Sequence, residues 1–237
     1  MNVILFLGDF FRDARCINMA DSIIDDAQEL IIIHSGNGSE TYRGKMIYHL
    51  SLPSSGIYKY WKFYRESQKL LQSISPRNIV AGDLYSLPSA ASQSPPNLIY
   101  DSREIYTQLA GLNESPIKQK FWSFIEKRFI HQTSTVIVTA ESDSKVLKLI
   151  YGNIPCITLK NFPAKKSLPT CPIDLHSKLN IPQSAPIFLY QGMLHKGRGI
   201  EQVLPLLEKF DDSHYVVLGS GPFKVDFESE AKQCGVQ

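Results

Sequence analysis

The chain has 237 residues, 43% of them hydrophobic and 20% charged, enough to bury a core and a composition that excludes fibrous, disordered and disulfide-dense classes. Twenty-five Lys and Arg stand against 23 Asp and Glu, and the formal net charge of +2 supplies no general field for wrapping nucleic acid, so no nucleic-acid partner is expected. Cys16, Cys156, Cys171 and Cys234, like the six histidines, show neither zinc-finger, C-x-x-C nor H-x-x-x-H spacing; no metal site is expected, and reduced cytosolic thiols are the default.

In chain order, residues 3–7, 30–33, 78–81, 97–100, 136–138 and 154–159 are short apolar runs that read as strands. The first two fall far short of the ~18 apolar residues of a membrane span, so neither a signal peptide nor a transmembrane segment is expected. Segments of helical period separate the strands, the signature of an α/β fold: a Rossmann-like parallel sheet with helices on both faces. One such helix begins near Ile57, with Ile57, Tyr60, Trp61, Tyr64 and Leu71 on one side and Lys59, Lys62 and Lys69 on the other. A second, over residues 117–128, sets Phe121, Trp122, Phe124 and Ile125 among Lys118, Lys120, Lys127 and Arg128. Aromatic and basic residues on one helix suit an anionic membrane surface, and equally a helix packed on a sheet with a solvated outer face.

Asn161-Phe162-Pro163 marks the end of a first domain, residues 1–165. A proline-rich connector, Pro163 to Pro186, opens a second domain, residues 166–237, with strands at 187–190 and 215–218 and helices at 199–210 and 225–233. Two parallel strands cannot bury both faces of a sheet, so this domain reads as incomplete.

Ligands of open parallel sheets bind beyond the carboxyl ends of the strands, where backbone N–H groups meet anions. The strand at 187–190 runs into Gln191-Gly192-Met193-Leu194-His195-Lys196-Gly197-Arg198-Gly199, a loop with three glycines and two permanent cations, built like a diphosphate cradle. It differs from the phosphate loop G-x-x-x-x-G-K-[ST] because Arg198 and Gly199 replace the Lys and the metal-binding hydroxyl. His195 reads as an exposed turn residue, with a hydrogen bond to an anion in this cationic loop as the alternative. Leu218-Gly219-Ser220-Gly221-Pro222 ends the next strand in the same way. In the first domain Asp13, Arg15, Asp83, Asp101 and Glu104 follow strands; Asp13 and Asp101 are either helix caps or site residues, and Glu141 reads as a first-turn dipole residue. No G-x-S-x-G elbow supports hydrolase chemistry.

The order of these motifs resembles the GT-B glycosyltransferases of glycosyltransferase family 4. The matching pieces are Asp13-x-Arg15, Ala81-Gly82-Asp83-Leu84-Tyr85-Ser86-Leu87-Pro88, Tyr100-Asp101-Ser102-Arg103-Glu104-Ile105-Tyr106, Asn161-Phe162-Pro163, Tyr190-Gln191-Gly192 with Gly197-Arg198-Gly199, and Leu218-Gly219-Ser220-Gly221-Pro222. The resemblance implies two Rossmann-like lobes, an acceptor side in the first and a nucleotide-sugar donor in the second, and transfer with retention to a glycan or lipid-linked acceptor. It implies Asp83, Glu104 and Arg198 as catalytic residues. Gly192, Lys196, Arg198, Gly199, Gly219 and Gly221 would hold the donor diphosphate without a metal or other cofactor, and Asp13, Arg15 and Asp101 would serve the acceptor side. The implied location is cytoplasmic, with peripheral contact at the inner face of a membrane. Two positions depart from the family pattern, Gly82 and Arg103 standing where relatives often have His, and the E-x7-E pair that reads the donor is absent. The chain is therefore expected to be a fragment or a truncated product that is aggregation-prone or partner-dependent and does not transfer sugar by itself; the alternative reading is a non-catalytic remnant or binding module that keeps the acceptor lobe.

Overall fold

A computed structural model describes residues 1–108, 115–162, 173–207, 209–210 and 212–234. Pro163 of the expected domain end, the first part of the proline-rich connector and Cys171 lie outside the described residues. The chain divides into two compact units, Met1–Lys165 and Lys166–Gln237.

The first unit is a mixed α/β body around one eight-stranded sheet. Its strands are β1 (Asn2–Phe6), β2 (Leu30–His34), β3 (Thr41–Tyr42), β4 (Lys45–His49), β5 (Asn78–Ala81), β6 (Asn97–Ser102), β7 (Thr135–Val138) and β8 (Cys156–Thr158). They lie in the order β3-β4-β2-β1-β5-β6-β7-β8, and every neighbouring pair is parallel except β3 with β4. The helices are α1 (Ala14–Asp25), α2 (Ile57–Ile74), α3 (Leu87–Ala91), α4 (Pro116–Ile130) and α5 (Glu141–Tyr151). Central strands such as β1 and β2 are almost wholly apolar because both of their faces are covered. Ile4 of β1 packs with Cys16 and Ala20 of α1, while Val3 and Leu5, one residue to either side and so on the opposite face, join Phe63, Leu87, Trp122 and Leu147. Helices thus cover both faces.

Eight strands form this sheet where six were expected; the two additions are β3 and β4. Only Ile47 of β4 is buried, so the segment has no continuous apolar run to announce it. Its turn does have a signature: Arg43 (φ 49°) and Gly44 (φ 77°) are both left-handed, the two-residue hairpin geometry that glycine favours. Arg43 is held there by Asp21 at 2.9 Å and Asp25 at 2.7 Å, both on α1.

The inner face of α2 also differs from expectation. Phe63, Ser67 and Leu71 are buried and Tyr60 packs beside them, whereas Ile57 and Trp61 point outward. A serine hides this stripe in the sequence: Ser67 satisfies its own hydroxyl by donating to the Phe63 carbonyl at 2.6 Å and so sits in the core as a small residue. No helix among the described residues is long and apolar enough to cross a membrane.

In the second unit β9 (Ile187–Gln191) and β10 (His214–Leu218) form a separate parallel pair. Around them are α6 (Leu175–Leu179), α7 (Leu204–Leu207) and α8 (Lys224–Gln233), with a core of Leu194, Ile200, Leu204, Phe223 and Phe227. The helix expected over 199–210 is shorter and begins as a 3-10 turn, Glu201–Val203. Pro205 has no N–H to offer the Glu201 carbonyl, which accepts instead from Leu204. Phe188, Leu189, Leu206 and Phe210 of this unit are exposed.

A polar group sits deep in the first unit. Glu126 of α4 is fully buried and accepts from the Tyr100 hydroxyl of β6 at 2.8 Å and the Tyr151 hydroxyl of α5 at 2.6 Å. Burial pushes its carboxyl above the ordinary value, against the two hydroxyls that favour the charged form. The folded state therefore prefers the protonated acid, and this contribution to stability is full in acid and lost as pH rises from the ordinary carboxyl range through the raised value. Glu126→Gln should be at least as stable as the wild type at neutral pH and should remove that decline, whereas Glu126→Ala, which strands two buried hydroxyls, should cost roughly 2 kcal/mol or more. Urea unfolding at acid and neutral pH checks both; an unchanged pH slope in Glu126→Gln would contradict the assignment.

Candidate functional site

Two Asp-x-Arg tripeptides, Asp13-Ala14-Arg15 and Asp101-Ser102-Arg103, meet at the carboxyl ends of β1 and β6 and pair across each other. Arg15, 7% exposed, grips the fully buried Asp101 with two N–H groups, Nη2 to Oδ1 at 2.6 Å and Nε to Oδ2 at 2.9 Å. Its Nη1 donates to the Leu159 carbonyl just after β8 at 3.0 Å. Arg103 closes the pattern, donating from Nε to Asp101 Oδ2 at 3.1 Å and from Nη1 to Asp13 Oδ2. Asp13 uses its other oxygen to cap α1, accepting from the Cys16 N–H at 2.7 Å. Two arginines and two aspartates cancel.

Of the caps expected at Asp13 and Asp101, the geometry shows one. Asp13 is the N-cap of α1 and an ion-pair partner of Arg103, while Asp101 caps nothing and anchors both arginines. The expected acceptor-side residues Asp13, Arg15 and Asp101 are therefore brought together, and Arg103 joins them. Cys16 accepts from Arg103 Nη2 at 2.9 Å, and burial pushes its thiol up to about 12, so it is no nucleophile at neutral pH.

Asp83 lies behind this network. It is buried, and its two oxygens accept from the Leu7 N–H at 2.8 Å and the Ser86 N–H at 2.7 Å, which shapes the turn between β5 and α3. Burial raises its pKa against those hydrogen bonds. Glu104, by contrast, is exposed. The two positions that depart from the family pattern share one neighbour: the Arg103 guanidinium lies 4.7 Å from the centre of the Phe6 ring, and a Cβ on Gly82 would come within 3.4 Å of the same ring. In the sequence Arg103 stands out only as a departure from the family pattern; the Asp-x-Arg spacing that Asp13-Ala14-Arg15 and Asp101-Ser102-Arg103 share is the local signal that could have tied it to Asp13.

In the second unit the loops after β9 and β10 continue side by side. Gly192 N–H donates to the Leu218 carbonyl at 3.0 Å, Leu194 N–H to Ser220 at 3.0 Å, and Phe223 N–H returns to Leu194 at 3.1 Å. Gly219 and Gly221 make that approach possible, since a Cβ would fall 1.8 Å from the Gly192 carbonyl oxygen and 2.1 Å from that of Leu194. Gly197 (φ 85°) and Gly199 (φ 75°) supply the left-handed bends on either side of Arg198. Lys196 and Arg198 are both exposed on this loop. His195 is exposed as well, with its Nδ1 donating to the Lys196 carbonyl at 2.8 Å. A pair of exposed cations on a glycine-bent loop can neutralise a polyanion such as a diphosphate.

No family profile and no curated protein matches the sequence. Solved structures do match. The lipopolysaccharide-biosynthesis glycosyltransferase WaaG superposes with a TM-score of 0.73 at 14% identity, over 100% of this chain and 68% of that one. HepE of Anabaena, in complex with UDP and glucose, gives 0.71 at 13% identity, over 100% and 67%. Sucrose-phosphate synthase from Thermosynechococcus elongatus gives 0.71 at 13%, over 99% and 66%. The chain thus spans about two thirds of the length of these structures. Its fold is that of the GT-B glycosyltransferases, with Rossmann-like α/β architecture.

Two substitutions test the packing that builds these regions. Arg15→Ala leaves Asp101 buried without its bidentate partner and should cost about 3–5 kcal/mol of unfolding free energy; Arg15→Lys, which lacks the planar fork, should recover only part of it. Near-wild-type denaturation of Arg15→Ala would remove the pair from its structural role. Gly219→Ala should force the two loops of the second unit apart and abolish hydrogen-exchange protection of the Leu194 and Phe223 amides, while far-UV circular dichroism of the first unit's helices persists.

Proposed function

We propose that the protein is a glycosyltransferase of the family 4 type, which takes a sugar from a nucleotide diphosphate donor and passes it, with retention of configuration, to a glycan or lipid-linked acceptor. The observation that carries this reading is the glycine-bent loop at the end of β9, with Lys196 and Arg198 exposed on it, in a fold shared with HepE, whose structures hold UDP and UDP-glucose. As the bond from the anomeric carbon to the diphosphate oxygen breaks, its electron pair and negative charge stay on the departing diphosphate. Arg198, with Lys196 beside it, stabilises that charge, the electrostatic part a metal plays elsewhere, and no metal or other cofactor enters the scheme. Gly192 and Gly199 leave room for the backbone to approach the phosphates. In the first unit the exposed carboxylate of Glu104 is available to an acceptor hydroxyl, while the buried Asp83 sets the turn behind it. Work in the cytoplasm, at the inner face of a membrane, suits a lipid-linked acceptor.

Calorimetric titration with UDP and UDP-glucose tests the donor site directly. Wild-type protein should bind both, and Arg198→Ala should weaken binding at least about tenfold. Where transfer is measured, Arg198→Ala should lower turnover on the order of 100-fold, the scale of removing one donor to a developing charge. Wild-type kcat/KM in Arg198→Ala would exclude Arg198 from the site. Donor binding without transfer to any acceptor would favour a non-catalytic binding module.

A further inference from the structure

The sequence contains one Asn-Gly dipeptide, Asn37-Gly38; every other asparagine precedes a residue that carries a side chain. Before glycine, the next backbone nitrogen reaches the asparagine amide carbon most readily, because no Cβ stands in the way. The pair lies in the loop that leaves the carboxyl end of β2, and Asn37, Gly38, Ser39 and Glu40 are all exposed.

The structure leaves both reacting groups free. Among the described residues neither the Asn37 carboxamide nor the Gly38 N–H has a hydrogen-bond partner, and neither residue belongs to a helix or strand. The residues on either side are tied. Gly36 N–H donates to His34 Nδ1 at 3.0 Å, and the two ring nitrogens of His49 lie 3.2 Å from the Gly36 carbonyl oxygen and 3.1 Å from that of Ser39. Asn37-Gly38 is thus an untied span between two fixed points. Packing also dictates the glycine: Gly38 has φ 148°, and a Cβ there would lie 2.4 Å from the Phe11 ring.

The tie at Gly36 is part of a seam. His34 is fully buried, and its Nδ1 accepts from the Phe10 N–H at 3.1 Å as well as from Gly36, so one ring joins the loops after β1 and β2. That bonding puts the ring proton on Nε2, which is buried without a hydrogen-bond partner among the described residues. A seam that leaves a buried donor unsatisfied is costly to hold.

We propose that Asn37-Gly38 is a site of spontaneous covalent modification, where the chain deamidates itself and the isoaspartyl product releases the seam between the loops after β1 and β2. A solvent base takes the Gly38 N–H proton and the nitrogen attacks Asn37 Cγ. The bond from Cγ to the amide nitrogen breaks, and that nitrogen leaves as ammonia, closing a succinimide. Water then opens the ring: cleavage at Cγ gives aspartate, and cleavage at the main-chain carbonyl gives isoaspartate. One water enters, one ammonia leaves, and nothing is oxidised or reduced. Isoaspartate routes the main chain through Cβ and Cγ, one carbon longer, between points held at Gly36 and Ser39. The added length displaces the Gly36 N–H from His34.

The proposal stands on the first unit alone and does not depend on donor binding or sugar transfer. The full chain, incubated at neutral pH and physiological temperature, is followed by tryptic peptide mapping, with Asn18 as a control in the same peptide as Asn37, Cys16 to Arg43. Asn37 should convert ahead of every other asparagine, at a rate within about tenfold of that in urea. Hydroxylamine, which intercepts the succinimide, should cut the folded chain between Asn37 and Gly38. Asn37→Gln, at an exposed position, should abolish conversion and cleavage with thermal unfolding unchanged. Converted protein should lose hydrogen-exchange protection at the Phe10 and Gly36 amides, whereas freshly prepared Asn37→Asp, which has the charge without the added carbon, should keep it. Conversion of Asn18 as fast as Asn37, or an Asn37 still intact in the folded chain once the urea sample has converted, would overturn the proposal. So would unchanged protection in the converted protein, or equal loss of it in Asn37→Asp.

Discussion

The first unit depends on the crossing of Arg15 and Arg103 over Asp101. From the first turn of α1, Arg15 reaches a carboxylate at the end of β6 and a carbonyl beyond β8, so one side chain joins segments that are 86 and 144 residues away in sequence. Because Asp101 is fully buried, its charge is tolerable only with both guanidinium groups in place. An ion pair of this kind adds little net stability over an apolar substitute, yet losing one partner is severe. Its consequence is geometric: it sets where the strand ends of β1, β6 and β8 lie, and with them the rim on which Glu104 is exposed and Asp83 is enclosed.

The second unit solves a different problem with backbone. Gly219 and Gly221 have no side chain because carbonyl oxygens of the neighbouring loop occupy that space, and the hydrogen-bond ladder of β9 and β10 therefore continues past the strands themselves. Close contact between the two loops leaves the cations as the exposed chemistry: Lys196 and Arg198 have no carboxylate partner among the ion pairs of the described residues. Arg15 and Arg103 are neutralised by the aspartates they cross, and among the described residues the cations of this loop have no such partner. That contrast, more than the glycine spacing, directs attention to the loop as an anion site.

The outer faces of α2 and α4 add a third kind of surface, apolar and basic together. Tyr60 and Trp122 connect the inner packing of both helices, edge to face at 5.1 Å between ring centres.

The sequence by itself determined the α/β alternation, because strands buried on both faces must be continuously apolar and the helices between them must show helical period. It also singled out the Lys196–Arg198 loop, since glycines and permanent cations after a strand are local features. Local signals missed β3 and β4, whose residues are largely solvated and whose place depends on Arg43 finding Asp21 and Asp25. The inner face of α2 was misjudged for a similar reason: a serine belongs to the buried stripe only because its hydroxyl is satisfied within the helix. How Asp13, Arg15 and Asp101 pair was decided by tertiary structure alone. Each could cap, bind or pair, and the choice followed from the fold placing two Asp-x-Arg tripeptides, far apart in the chain, within hydrogen-bonding distance, where the cost of leaving a buried charge unpaired committed them to one another.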